Sequence, residues 1–218
     1  MKKSTTATDS MALRITITAD DAGMSAGIDT AIHEMYKAGT LSTASVMMTM
    51  PEYARQYQQL TMPVGIHLDL TEGTPITDTL AHSHLINANG TFRGQLNTIR
   101  AGVWLSRSTR DAIQRELNAQ IQAFLGHFEQ ATHITTHHHF HALPALKPIV
   151  YALAQHYQIA WVRNPYWRRA VLPQNIFLPS VPAHKPDFTM PDYVVLVQAW
   201  IDKPPAVLWQ QLEQLAGW

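Results

Sequence analysis

The first strand and helix of the chain lie in residues 13–39, LRITITADDAGMSAGIDTAIHEMYKAG. The opening residues are apolar or β-branched with no helical period, which predicts a buried strand over Leu13–Ala19. Beyond Ser25 the apolar residues recur at i, i+4, i+7 and i+8, which predicts an amphipathic helix capped by Ser25 and stopped by Gly39. The stretch therefore forms a strand followed by a helix, the repeating unit of parallel sheets.

The same alternation continues along the chain. The patterns predict strands over residues 41–49, 64–70, 133–141, 159–163 and 193–199, and helices over 51–60, 109–128, 144–157 and 204–216. Residues 71–108 show no sustained period, which predicts a long loop with at most short elements. Strands separated by helices predict an α/β fold with a parallel sheet, in which functional groups gather at the carboxyl ends of the strands.

The composition places limits on the class of protein. The 218 residues fit a single domain, and 46% hydrophobic against 15% charged residues excludes a disordered, solvated chain. Sixteen basic residues balance sixteen acidic ones, whereas proteins that bind a phosphate backbone normally have a basic excess, so we expect no nucleic-acid partner. The chain has no cysteine, so any metal must be bound by His, Asp, Glu or water.

The first residues show no pattern of a targeting signal. Residues 1–10, MKKSTTATDS, contain two lysines without the apolar stretch of a signal peptide. Met11 precedes the first strand, which predicts a disordered leader over residues 1–10 and a domain over 11–218. No stretch approaches the ~18 apolar residues of a membrane span, so we expect a cytoplasmic protein without a transmembrane segment.

Acidic residues and a histidine lie at the ends of two predicted strands. Asp20 and Asp21 follow the first strand, and His67 is near the end of the strand 64–70. An aspartate pair is also common in turns, and a single strand histidine is more often a core residue. The shared sheet edge nevertheless favours a cation site, because neighbouring carboxylates repel each other unless a cation neutralises them.

The strongest local feature is HITTHHHFH at residues 133–141, which holds five of the twelve histidines. Side chains alternate along a strand, so His137, His139 and His141 are expected to form a wall on one face. Three buried imidazoles need a metal, a substrate or carboxylates as partners, and a purely structural polar cluster is the alternative.

These segments combine into one candidate site, formed by Asp21, His67 and one histidine of the wall. Three protein ligands with open positions describe a catalytic metal site, and this ligand set accepts zinc as readily as magnesium. The metal would acidify a water molecule, and Asp20 lies within reach of its proton. Non-haem iron oxygenases use the same ligand set, but they have no need of a second carboxylate. A third hypothesis is a protein that binds sugar or metal with weak or no catalysis.

Four motifs occur in order over most of the chain. They are ADDAG at 19–23, GTLSTAS at 39–45, VGIHLDLTEGTP at 64–75 and THITTHHHFHALP at 132–144. In these motifs the chain resembles the YdjC-like carbohydrate deacetylases, which include chitooligosaccharide and hopanoid-biosynthesis deacetylases. The resemblance implies a distorted, incomplete parallel (β/α) barrel in a single domain. It also implies removal of N-acetyl groups from amino sugars with a divalent metal, usually magnesium.

Carried over by position, the resemblance makes Asp20 the general base and Asp21, His67 and His137 the metal ligands. The expected substrate is an N-acetylated saccharide or glycolipid, whose acetamide is attacked by metal-activated water. We expect a wall histidine, His139 or His141, to protonate the departing amine. Four aromatic residues are candidates for stacking against the sugar, although loop aromatics are more often packing anchors: Trp104, Trp161, Tyr166 and Trp167.

Several positions refine the resemblance. Residues 87–92, 109–128 and 161–165 look closer to the hopanoid-associated branch of the family. Ala22 stands where the family usually has Phe, which changes a wall of the pocket. Thr135 stands where the family often has Asp, a position from which a side chain would orient a ligand histidine.

The last residues, LEQLAGW at 212–218, still have a helical pattern. Members of the family generally continue into a final strand with a His-Pro-Gly motif, which is absent here. A barrel without its last strand leaves an open edge beside the first strand. We therefore expect either a truncated version of a longer protein or another element that covers this edge, for example from a second subunit in a homo-oligomer.

Overall fold

The structure, a computed structural model, describes residues 15–50, 57, 62–103 and 105–163. Its centre is a parallel sheet of four strands in the order β1-β2-β3-β4. The strands are β1 (Thr18–Ala22), β2 (Thr43–Val46), β3 (Val64–Leu68) and β4 (Ile134–Thr136). The parallel strands covered by helices confirm the predicted α/β fold, and over the described residues the sheet is open, in agreement with an incomplete barrel.

Helices connect and cover the strands. They are α1 (Ala26–Lys37), α2 (Gln95–Val103), α3 (Arg107–His127) and α4 (Lys147–His156), with short 3-10 turns at Asp78–Leu80 and His137–Ala142. The predicted cap of the first helix is confirmed, because Ser25 Oγ accepts a hydrogen bond from Ile28 N–H at 3.4 Å. Within the described part, no helix is both long and apolar enough to cross a membrane.

The core lies between the sheet and the helices. All residues of β2, β3 and β4 are buried, as expected for parallel strands covered on both faces. The apolar side chains of α3 face inward, with Ile113, Leu117 and Ile121 fully buried. Gly65 of β3 has no room for a side chain, because a Cβ there would lie 2.4 Å from the ring of His133. Glycine at this position therefore lets β3 pack closely against the residue that precedes β4.

Several predicted boundaries are wrong. The strand predicted over 133–141 stops at Thr136, because the chain turns there into the segment His137–Ala142. The strand predicted over 159–163 is reduced to a parallel bridge between Val162 and Ile134. The predicted long loop contains the nine-residue helix α2.

The first strand is shifted towards its carboxyl end. It begins at Thr18, which pairs with Thr43, the first residue of β2. The predicted leader, the strand over 193–199 and the helix over 204–216 lie outside the described residues, as does all of the predicted helix over 51–60 except Tyr57.

Candidate metal centre

The acidic pair lies at the carboxyl end of β1, where the strand is irregular. The register with β2 shifts between Ala19 and Ala22, and Asp21 has a left-handed backbone with a φ of 60°. In a regular strand the two carboxylates would point to opposite faces. Here both reach the same histidine: Asp20 Oδ1 lies 4.0 Å from His67 Nδ1, and Asp21 Oδ1 lies 3.1 Å from His67 Nε2.

His67 enters the site from the middle of the sheet. It lies on β3 and its side chain is only 2% exposed. Its Nδ1 is 2.6 Å from Thr135 Oγ1 on the neighbouring strand β4, which fixes the ring so that Nε2 faces Asp21. Thr135, the position that differs from the family pattern, therefore makes a contact of the kind that orients a ligand histidine.

His137 completes the cluster from the end of β4. Its Nδ1 lies 2.8 Å from Asp21 Oδ1 and 3.3 Å from His67 Nε2. One ligand atom from each of Asp21, His67 and His137 thus falls within 4.8 Å of the others. We call these three residues the metal centre. The arrangement suits a divalent cation, because two ring nitrogens and one carboxylate oxygen converge on a common point.

The electrostatics of the metal centre agree with this interpretation. Burial alone would raise the pKa of Asp21, but hydrogen bonds from His137 and His67 hold it far below its usual value. Burial alone would lower the pKa of His137, but Asp21 raises it above its usual value. The carboxylate is therefore stabilised by positive charge, which a bound cation would supply in place of protons on the imidazoles.

Asp20 is held by an arginine that the sequence reasoning missed. Arg163 donates two parallel hydrogen bonds, from Nη1 to Oδ2 at 2.5 Å and from Nη2 to Oδ1 at 2.8 Å. Burial raises the pKa of Asp20, but the charges of His67 and Arg163 outweigh it, so the pKa is lowered and Asp20 is ionised at neutral pH. Arg163 ends the predicted strand 159–163, so its position at the carboxyl edge was the available signal.

The expected wall of three histidines does not form. His138 and His139 have left-handed backbones, with φ of 51° and 53°, so residues 137–141 do not alternate as in a strand. His141 is fully buried, and both ring nitrogens are engaged: Nδ1 lies 2.6 Å from Thr136 Oγ1 and Nε2 lies 2.9 Å from Arg163 O. Burial lowers the pKa of His141 to about 3. Its contacts therefore connect β4 to the segment that carries Arg163.

His139 is half-buried, with a pKa lowered to about 4 by burial and by the charge of Arg163. Trp161 is 40% exposed, whereas Trp104, Tyr166 and Trp167 lie outside the described residues. Ala22 is fully buried in the core, so it leaves no side chain at the surface of the site.

A further carboxylate beside the metal centre was also missed. One carboxylate oxygen of Glu72 lies within 4.8 Å of ring nitrogens of His137 and His138. The peptide N–H of Glu72 donates to both carboxylate oxygens of Asp69, at 3.3 and 3.1 Å. Glu72 lies in the motif VGIHLDLTEGTP, but no pattern within that motif distinguishes it from other loop carboxylates.

The loop that carries Glu72 is anchored on α3 by a second buried cluster. Gln120 pairs with the main chain of Asp69, at 2.9 Å to its N–H and 2.7 Å to its carbonyl oxygen. Glu116 accepts hydrogen bonds from Ile76 N–H and Thr77 N–H, both at 2.9 Å, and from Gln120 Nε2 at 2.9 Å. We call Asp69, Glu116 and Gln120 the loop cluster; all three are fully buried.

Comparisons with known proteins identify relatives of this chain and a solved structure with a similar fold. The family model described as YdjC-like protein matches residues 14–212. A carbohydrate deacetylase of Brevibacillus brevis is 35% identical over 159 residues, which are 71% of this chain and 60% of the relative. A carbohydrate deacetylase of Geobacillus stearothermophilus is 35% identical over 178 residues, 79% of this chain and 66% of the relative.

A solved structure shares the fold. It is a candidate cellobiose-phosphate cleavage protein from Enterococcus faecalis V583, with a TM-score of 0.61 and 25% identity over 71% of this chain and 60% of that one. The matches thus span 60% to 66% of the length of these three proteins. Since the family model covers most of the chain, this protein belongs to the YdjC-like family.

Proposed function

We propose that the chain is a metal-dependent hydrolase that removes the acetyl group from an N-acetylated saccharide or glycolipid. The observation that carries this proposal is the convergence of Asp21, His67 and His137 on one point, with the carboxylate of Asp20 beside it. The names of the relatives, carbohydrate deacetylase, support the same reaction class. We place the reaction in the cytoplasm.

The metal would be held by Asp21 Oδ1, His67 Nε2 and a ring nitrogen of His137. When bound, a divalent cation polarises the acetamide carbonyl and acidifies the attacking water. Imidazole ligands suit zinc and the carboxylate suits magnesium, so both metals belong in the first assays. Magnesium is our proposal from the family resemblance.

Asp20 is the proposed general base. It is ionised at neutral pH and can accept the proton of the attacking water. The two hydrogen bonds from Arg163 fix the plane of its carboxylate, which limits the directions from which a water can approach. Arg163 therefore orients the base in this mechanism and exchanges no proton itself.

For the proton that goes to the departing amine we propose His139 rather than His141. Both ring nitrogens of His141 already contact protein groups, and the side chain is fully buried. His139 has a pKa of about 4 and is neutral near pH 7, so it must first receive a proton during the reaction. The source is the proton that Asp20 takes from the attacking water, because amide hydrolysis moves one proton from water to the departing amine.

The test is an acetate-release assay on the full chain with a panel of N-acetylated saccharides and glycolipids. The chelated protein is assayed alone, with Mg²⁺, with Zn²⁺ and with Fe²⁺. We expect acetate only when a metal is present, and no dependence on oxygen. Acetate release that Asp20→Asn leaves intact would contradict the assigned base, and oxygen consumption without acetate would favour an iron oxygenase. Glu129→Gln, which changes an exposed carboxylate, is the matched control.

A further inference from the structure

A buried carboxylate on α1 has no place in the mechanism above. Asp29 is 1% exposed, and its Oδ1 accepts a hydrogen bond from Gly23 N–H at 2.8 Å. The hydroxyl of Tyr57 donates to the same oxygen. Burying a carboxylate is unfavourable unless donors compensate it. Asp29 therefore lies at a position where a polar contact to the turn after β1 outweighs the cost of burial.

The turn that Asp29 contacts is the one that presents Asp21. Asp21 and Gly23 both have left-handed backbones, with φ of 60° and 94°, and Met24 N–H closes the turn on Asp21 O at 3.0 Å. A left-handed conformation is unfavourable for a residue with a side chain and persists only where the surroundings hold it. The hydrogen bond from Gly23 to Asp29 is such a restraint, two residues from the metal ligand.

The direction of Asp21 depends on this turn. With a regular strand backbone, its carboxylate would leave the edge of the sheet on a different side from Asp20. In the observed turn, Asp21 Oδ1 lies 3.1 Å from His67 Nε2 and 2.8 Å from His137 Nδ1. A change of the turn would therefore separate the carboxylate from both imidazoles.

We propose that Asp29 is a positioning residue for the metal centre: it holds the left-handed turn that aims Asp21 at His67 and His137, and Tyr57 fixes the orientation of its carboxylate. The inference rests on the proposed metal centre. It assigns to α1 a role in metal affinity, in addition to covering the sheet.

The test measures the affinity of the full chain for Zn²⁺ and for Mg²⁺ by calorimetric titration of chelated protein. Loss of a group that orients a metal ligand typically weakens binding by about 10-fold or more, and we expect this for Asp29→Ala. Asp29→Asn keeps an oxygen for Gly23 N–H and can donate to Tyr57, so its affinity should stay within about twofold of the wild type.

A merely structural role would lower thermal stability without changing the affinity of the folded protein. Glu116→Ala is the matched control, because it also removes a buried carboxylate that accepts loop N–H groups, but on α3. We expect Glu116→Ala to be less stable with unchanged metal affinity. Unchanged affinity in folded Asp29→Ala would overturn the proposal.

Two further variants keep the outcome decisive. If Asp29→Ala does not fold, Tyr57→Phe, which removes one donor to Asp29, should weaken metal binding by about two- to fivefold, and an unchanged affinity would overturn the proposal. His67→Ala separates this inference from the proposed function. If it leaves metal affinity intact, the metal centre itself is wrong; if only the Asp29 and Tyr57 variants do so, only the positioning role is wrong.

Discussion

The metal centre and the loop cluster are both groups of buried or partly buried polar side chains, yet their hydrogen bonds differ in kind. In the loop cluster, each carboxylate of Asp69 and Glu116 accepts from peptide N–H or hydroxyl groups of the loop it holds. In the metal centre, Asp21 Oδ1 faces two imidazole nitrogens, and these lie 3.3 Å from each other. Protein groups alone satisfy the carboxylates of the loop cluster. In the metal centre, by contrast, a carboxylate oxygen and two imidazole nitrogens compete for protons.

This difference separates a structural cluster from a chemical one. A buried carboxylate with fixed N–H donors stabilises the fold and needs no further partner. Imidazole nitrogens and a carboxylate oxygen that face one another have lone pairs that can bind a cation. We therefore expect substitutions in the loop cluster to lower stability, and substitutions in the metal centre to lower metal affinity and activity.

The largest effect is expected from the loss of an imidazole ligand. His67→Ala and His137→Ala each remove one of three protein ligands, so metal affinity should fall by more than about 100-fold and acetate release should fall to background. Calorimetric titration and the acetate assay measure both quantities. The exposed His82→Ala is the control. Full metal content in both variants would show that these residues are not the ligands.

Asp20→Asn, a change beside the metal centre, should separate chemistry from metal binding. The amide keeps the shape of the side chain but cannot take the proton of water, so kcat should fall by about 100-fold or more while metal affinity is retained. Steady-state kinetics and metal titration check this pair of results. If Asp20→Asn instead lost the metal and Asp21→Asn kept it, the two aspartates would have exchanged roles.

Glu116→Ala should show the opposite behaviour. It leaves the N–H groups of Ile76 and Thr77 without their acceptor inside the protein, so the free energy of unfolding should fall by about 3 kcal/mol. Denaturant unfolding of the chelated protein measures this change, and titration of the folded variant should give the wild-type metal affinity. A large loss of affinity with little loss of stability would erase the distinction between the two clusters.

Among the substitutions in this comparison, the smallest effect is expected from Thr135→Val. The change removes the hydroxyl at 2.6 Å from His67 Nδ1 but keeps the β-branched shape that fits β4. We expect metal affinity to fall by about 10-fold with the three ligands still present. Thr135→Ser, which retains a hydroxyl, should recover much of the loss. If Thr135→Val and Thr135→Ser both bind metal as tightly as the wild type, the ring of His67 is oriented by packing alone.

Sequence patterns located the strands that carry the metal centre but not the turns that shape it. The apolar stretch before Asp20 and the segment VGIHLDL around His67 have no helical period, so both strands were predictable. The left-handed backbones of His138 and His139 were not, because histidine carries no local preference strong enough to override an alternating pattern. The prediction of a histidine wall was wrong because these two residues break the strand alternation.

The supporting residues were harder to predict, because their roles depend on distant partners. Asp20 and Arg163 are 143 positions apart, and nothing local to either residue indicates their pairing. Gln120 lies on the buried face of α3, three residues after Leu117, and Glu116 lies beside it, but the helix pattern does not show which groups they bind. Their partners are main-chain groups of residues 69–77, which are distant in sequence.

The most direct test of the central claim is a crystal structure of the zinc-loaded chain with anomalous scattering at the zinc edge. The account predicts a peak bonded to Asp21, His67 Nε2 and His137, at metal–nitrogen distances of about 2.0–2.1 Å, with Asp20 outside the ligand set. A peak that lies between Glu72 and His138 without Asp21 and His67, or no peak at the end of β1, would contradict it.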